Sequence, residues 1–166
     1  MKLNLPIAAA VALIPMLIGF IWYNPKVLGK AWMESAGLTE DKMKGANMPV
    51  IFGMAYAFSF MMAVFSHTLA IHQFGLQSLV MVPENGVGLL PGSQEEFTRL
   101  MGIYGHSFRT FGHGVVHGVI TSIFFVLPIL GTNALFERKG WKYILINWGF
   151  WAVSLALMLG TLCKFA

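Results

Sequence analysis

Four stretches of the chain contain no Asp, Glu, Lys or Arg: Leu5 to Tyr23, Val50 to Ile71, Phe111 to Gly131 and Tyr143 to Cys163. Each is about 20 residues long, enough for a helix rising about 1.5 Å per residue to cross about 30 Å of hydrocarbon. Lipid offers no water to the backbone, so a spanning segment must satisfy its own N–H and C=O groups, and a helix does this within itself. A barrel would show alternating segments of about 10 residues, and these runs do not alternate. The chain therefore reads as all-α: a polytopic transmembrane bundle of about four helices, with residues 1-166 forming one membrane domain. Composition agrees, since 57% of the 166 residues are hydrophobic and only 11% are charged. Soluble domains carry about 25% charged residues to cover their surface.

The prolines fit helices in lipid. Pro49 stands where the second helix starts, a position at which its missing donor costs nothing. Pro15 and Pro128 fall inside spans and predict kinks. The first run ends in "WYNP" rather than a small-residue cleavage site, so it reads as a retained helix and not a signal peptide. The segment Pro25 to Met48 is too short and too polar to span. It reads as interfacial, with Trp32 and Met33 inserted and its lysines facing phosphates. Within it, "TEDKMKG" predicts a short capped helix from Thr39 to Gly45. Between the second and third helices runs a long loop, Gln73 to Thr110. Ser93 is expected to cap a short helix there, through Glu95 and Glu96 toward Met101.

Basic residues give an orientation. Lys26, Lys30, Lys42, Lys44, Arg138, Lys139 and Lys142 lie on one side, and Lys2, Arg99, Arg109 and Lys164 on the other. Seven against four places both termini outside the cytoplasm of a bacterial inner membrane. Trp22, Tyr23, Trp141 and Tyr143 mark the cytoplasmic headgroup level. Cationic loops beside anionic lipid account for the net charge of +4, so no nucleic-acid partner is called for.

Three blocks carry a resemblance: "GFIWYNPKVLGKAWMESAGLTEDKMKG", "HGVVHG" and "LPILGTNALFERKGWKYILINWGFWAVSLALMLG". Together they are similar to the DUF1761 family of small bacterial membrane proteins, over most of the chain except the middle loop. The histidine-bearing version is similar to members from Bacteroidota. The resemblance implies a four-helix integral membrane protein and implies no activity.

The most informative pattern is the placement of the five histidines. A helix turns 100° per residue, so a continuous helix from His106 would bring His106, His113 and His117 within about 40° on one face. His113 and His117, at i and i+4, need one turn to stand together. His67 and His72 lie at the end of the second helix that faces the same side, with Glu84, Glu95 and Glu96 in the loop above. Three readings follow. The imidazoles hydrogen-bond across helices as structural groups. They bind a transition metal such as zinc or copper, with Glu or water completing the shell. Or His67 with His113 or His117 clamps a haem. A pH-sensing or proton-relay role completes the range. No glutamate follows the zincin pattern, no acid is placed to orient Ser66, Ser107 or Ser122, and no phosphate loop is present, so the chain reads as non-enzymatic.

Gly114 and Gly118 form a small-xxx-small step, and Gly149, Ala152, Ala156 and Gly160 form a small-residue stripe on the fourth helix. Both read as packing faces, within the bundle or against a partner. Asn147 and Thr121 are expected to bond between helices. Cys163 is the only cysteine, which excludes an intrachain disulfide. The leading functional reading is a small accessory subunit that packs in the bilayer against other membrane proteins or a second copy. The alternative is a metal- or haem-binding membrane protein using the histidine cluster.

Overall fold

A computed structural model describes residues 2–80 and 90–166. Its helices are α1 (Leu5–Val11), α2 (Ile14–Trp22), α3 (Gly29–Ala36), α4 (Glu40–Met43), α5 (Met48–Ala70), α6 (His72–Val80), α7 (Ser93–Tyr104), α8 (Phe111–Thr121), α9 (Leu127–Phe136) and α10 (Trp141–Phe165). No strand occurs among the described residues. Four helical stretches are long and apolar enough to cross a membrane: Leu5–Trp22, Met48–Ala70, Phe111–Phe136 and Trp141–Phe165. Their outer faces are apolar: Phe20, Phe65, Phe124 and Ile129 are each more than 60% exposed. Such faces are stable against lipid and not against water.

Both internal prolines alter their spans. Pro15 has no N–H for the Val11 carbonyl, and the first span breaks at Ala12 and Leu13. The Leu13 N–H then bonds Ala10 O at 3.2 Å rather than reaching back four residues. That frees the Ala9 carbonyl, and the Tyr56 hydroxyl of α5 donates to it at 3.1 Å. The break thus becomes a tie between spans. Pro128 likewise has no N–H to donate to the preceding turn, and a π-turn over Ser122–Val126 precedes it. The Ser122 carbonyl accepts both the Leu127 N–H and the indole N–H of Trp148 on α10, the latter at 3.0 Å. The third span runs on past Gly131 to Phe136. It closes with Arg138 in the left-handed region (φ 58°) and Lys139 N–H on Ala134 O at 2.8 Å, a Schellman turn.

α10 is the central helix. Its Leu155, Met158, Leu159, Leu162 and Cys163 form the core with Ala8, Val11 and Ala12 of the first span and Ala63 and Ala70 of α5. α8 packs against it most closely, because small residues remove the barrier. A Cβ at Gly114 would lie 2.7 Å from Cys163 Cβ, and one at Gly118 would lie 2.6 Å from Ala156 Cα. Gly160 faces Phe111 and Val115 in return, and Gly149 takes the Trp22 ring. These small residues are used in contacts within the chain. At the other end, the Trp22 indole donates to Ile146 O at 3.0 Å and the Tyr23 hydroxyl to Asn147 Oδ1 at 3.0 Å. Thr121 behaves otherwise than the sequence suggested. Its hydroxyl donates to His117 O of its own helix at 2.8 Å, because a threonine in a helix reaches the carbonyl four residues back.

The segment after the first span docks on the α9–α10 connection. Lys139 Nζ donates to Ala36 O at 2.5 Å, and Lys142 Nζ pairs with Glu34 at 2.6 Å. Thr39 caps α4 through the Lys42 N–H. The middle loop holds two helices, α6 as well as α7. Ser93 opens α7 but does not cap it. Leu90 to Ser93 is a turn with Pro91 second and Gly92 third, the glycine at φ 79°, closed by Ser93 N–H on Leu90 O at 3.1 Å. This type II turn places Ser93 inside the first turn, so Gly92 takes the cap position and the Ser93 hydroxyl has no hydrogen-bond partner.

Candidate metal centre

The site forms where α5 ends. Ile71 is buried and extended (φ −114°, ψ 98°), so the helix stops and His72 starts α6 in a new direction. Gln73, 3% exposed, fixes that direction: its Nε2 donates to Tyr104 O at 2.7 Å and to Ser107 O at 3.0 Å. Opposite, Thr110 caps α8 by accepting the His113 N–H at 3.2 Å, which sets where His113 and His117 emerge. Arg109 anchors the same turn on the C-terminal end of α10, donating to Cys163 O at 2.9 Å and to Ala166 O. A cation there also complements the helix dipole.

The result is a convergence of three imidazoles. His113 Nε2 lies 2.8 Å from His72 Nε2 and 3.0 Å from His117 Nε2, and the three ligand atoms are all within 4.8 Å of one another. Ring centroids are 4.6 to 5.1 Å apart. One imidazole nitrogen carries either one proton or one lone pair. His113 Nε2 therefore cannot serve two neighbouring nitrogens with two well-formed hydrogen bonds. A cation relieves the conflict, because it accepts three lone pairs at one point. Tetrahedral zinc with bonds of about 2.0–2.1 Å sets its nitrogens about 3.4 Å apart. The two short distances of the trio, 2.8 and 3.0 Å, fall a few tenths of an ångström inside that spacing, and all three atoms lie within 4.8 Å of one another.

Phe108 stands over the trio, its ring centroid 5.6 Å from His72 and 5.0 Å from His113. Its backbone is left-handed (φ 61°), a region that costs a side-chain-bearing residue about 1–2 kcal/mol. Beside it lies a cavity of about 320 Å³ lined by His72, Gln73, Leu76, Tyr104, Ser107 and Phe108.

The other two histidines are elsewhere. His106 is exposed in the turn Gly105–Phe108, which interrupts the helix that would have aligned it with His113. His67 is 1% exposed and points into its own helix. Its Nδ1 lies 3.0 Å from Ala63 O and 3.2 Å from Val64 O, both acceptors, so Nδ1 holds the proton. Its Nε2 is buried without a hydrogen-bond partner. His67 does not join the trio, and its ring packs edge-on against Phe74 with centroids 6.2 Å apart. Glu96 is occupied by Arg99, at 2.7 and 2.9 Å, which holds its carboxyl below the usual range. Glu95 does not join the trio either, and Glu84 lies outside the described residues. Cys163 is buried, its thiol donating to Ala70 O and Phe108 O at 3.3 and 3.2 Å. Gln73 and Phe108 are the site residues that the sequence did not reveal: neither belongs to a ligand motif, and only the fold brings them beside His72.

Four apolar spans with a histidine trio at one end define a multi-pass helical membrane protein. The chain belongs to the DUF1761 family, a family described as proteins of unknown function, which matches residues 5–163. No curated protein and no solved structure matches it.

Proposed function

We propose that this membrane protein binds a divalent transition ion, zinc foremost, through His72, His113 and His117. The observation that carries the reading is the convergence of three Nε2 atoms on a position that hydrogen bonding alone does not satisfy. Imidazole is a borderline ligand that suits both zinc and copper, so geometry and supply rather than raw affinity decide between them. A haem draws no support from the trio: His113 Nε2 lies 2.8 Å from His72 Nε2 and 3.0 Å from His117 Nε2, too close for axial ligands on opposite faces of a porphyrin. The accessory-subunit reading loses its main sequence support, because Gly114, Gly118 and Gly160 are taken up by contacts within the chain. The basic-residue bias supports a site on the non-cytoplasmic side of a bacterial inner membrane.

The test is a metal measurement on protein purified in mild detergent. We expect one zinc or copper per chain, lost in the double variant His113→Ala/His117→Ala and retained in His106→Ala. A metal-free native protein that also fails to take up added zinc overturns the reading.

A further inference from the structure

We infer that the ion at the trio keeps one exchangeable position, and that a small organic carboxylate takes it with its apolar body in the adjoining cavity. The inference rests on the metal reading and goes beyond it. Three protein ligands and an open fourth position are the pattern of sites that handle an exogenous molecule, whereas structural zinc sites close with four. Among the described residues no fourth His, Cys, Asp or Glu joins the group.

Charge selects the head of the ligand. Three neutral imidazoles leave the ion its full double charge. None of the six residues lining the cavity is Lys, Arg, Asp or Glu, so neither a competing cation nor a repelling carboxylate stands there. A compact anionic oxygen donor is the head that zinc would hold.

Shape selects the body. The cavity shares two walls with the trio, His72 and Phe108. Leu76 and the Tyr104 and Phe108 rings supply its apolar faces, and its volume of about 320 Å³ falls at the small end of ligand pockets. Phe108, whose backbone is strained, borders both the trio and the cavity with its ring. Strain of this kind persists where the surroundings impose it, and it clusters at ligand sites.

Cobalt(II)-loaded protein provides the test, because its visible bands report a change of ligand. Cobalt uptake per chain is measured first. Benzoate and acetate are then titrated separately; they share a head and differ in the body. We expect both to shift the bands, with benzoate about tenfold tighter through burial of its ring. Leu76→Trp, which fills the cavity without replacing a metal ligand, should reduce that preference to about twofold. Leu76→Ala serves as a second variant that keeps the fold and should weaken benzoate alone. Cobalt uptake with no band shift, or with benzoate and acetate equally tight, overturns this inference and leaves the metal reading standing. A benzoate preference untouched by both Leu76 variants overturns it as well. A chain that takes up no cobalt overturns both.

Discussion

Phe108 separates backbone strain from side-chain packing. Its φ of 61° is unfavourable for any residue with a Cβ, while its ring contacts His72 and His113. Phe108→Ala removes the ring and keeps the strain; Phe108→Gly removes both. We expect the glycine variant to be more stable than the alanine variant by about 1 kcal/mol, read by thermal unfolding in detergent. An alanine variant as stable as the glycine one would show that the turn relaxes to another conformation. His113 and His117 were legible from their spacing on one helix, because i and i+4 fix proximity whatever the tertiary structure does. His72 was legible only as a neighbour in depth. Its selection over His67 depends on the bend at Ile71, and no residue type nearby announces a bend: Ile71 is neither glycine nor proline.

The spans were legible at the scale of elements because a run without charge can be solvated in few ways. α6 was not. Its less exposed positions are Gln73, Phe74, Leu76, Gln77 and Val80, which have helical spacing, but two of the five are glutamines, Gln73 the most buried. Apolar periodicity cannot detect a face whose anchor is an amide bonded to two carbonyls. The α8–α10 contact was legible as a small-residue stripe, although whether it faced the bundle or a partner was not. Gly118→Val puts side-chain atoms where a Cβ alone would lie 2.6 Å from Ala156 Cα. Backbone cannot step aside as a flexible side chain does, so we expect a loss of about 2–3 kcal/mol by thermal unfolding. Unchanged stability would mean that the two helices separate without cost. The α3 contact is weaker and depends on pH. Lys142 hydrogen-bonds Glu34 and holds its carboxyl below the usual range. A depressed folded value stabilises docking above the unfolded value and is lost as pH falls through the folded one. Amide exchange in α3 should therefore rise on acidification below about pH 4, and Glu34→Gln should remove the response. The effect is small, because the pair is exposed. Exchange in α3 that ignores both pH and the substitution would place the docking elsewhere, on Lys139 and Ala36 O.

At the scale of the whole molecule, the trio joins two parts of unequal strength. α8 is locked against α10 by close helix approach through glycine. Gln73 ties α6 to the end of α7 and the turn after it, and α6 follows the end of α5 at Ile71. An ion bound by His72 on one part and by His113 and His117 on the other cross-links them. Binding to the native state alone stabilises it by about 2.7 kcal/mol when free ion is a hundred times Kd. That energy should appear first where the protein opens most easily, since local unfolding draws on the weakest element. We therefore expect zinc to slow amide exchange strongly in α6 and in the turn before α8, and hardly at all in α10. Chelation should reverse the pattern. His72→Ala should abolish the protection in α6 while the four spans keep their exchange rates, because His72 is exposed and outside the core. Uniform protection across all helices, or protection that survives His72→Ala, would mean that the ion sits elsewhere and that the cross-link does not exist.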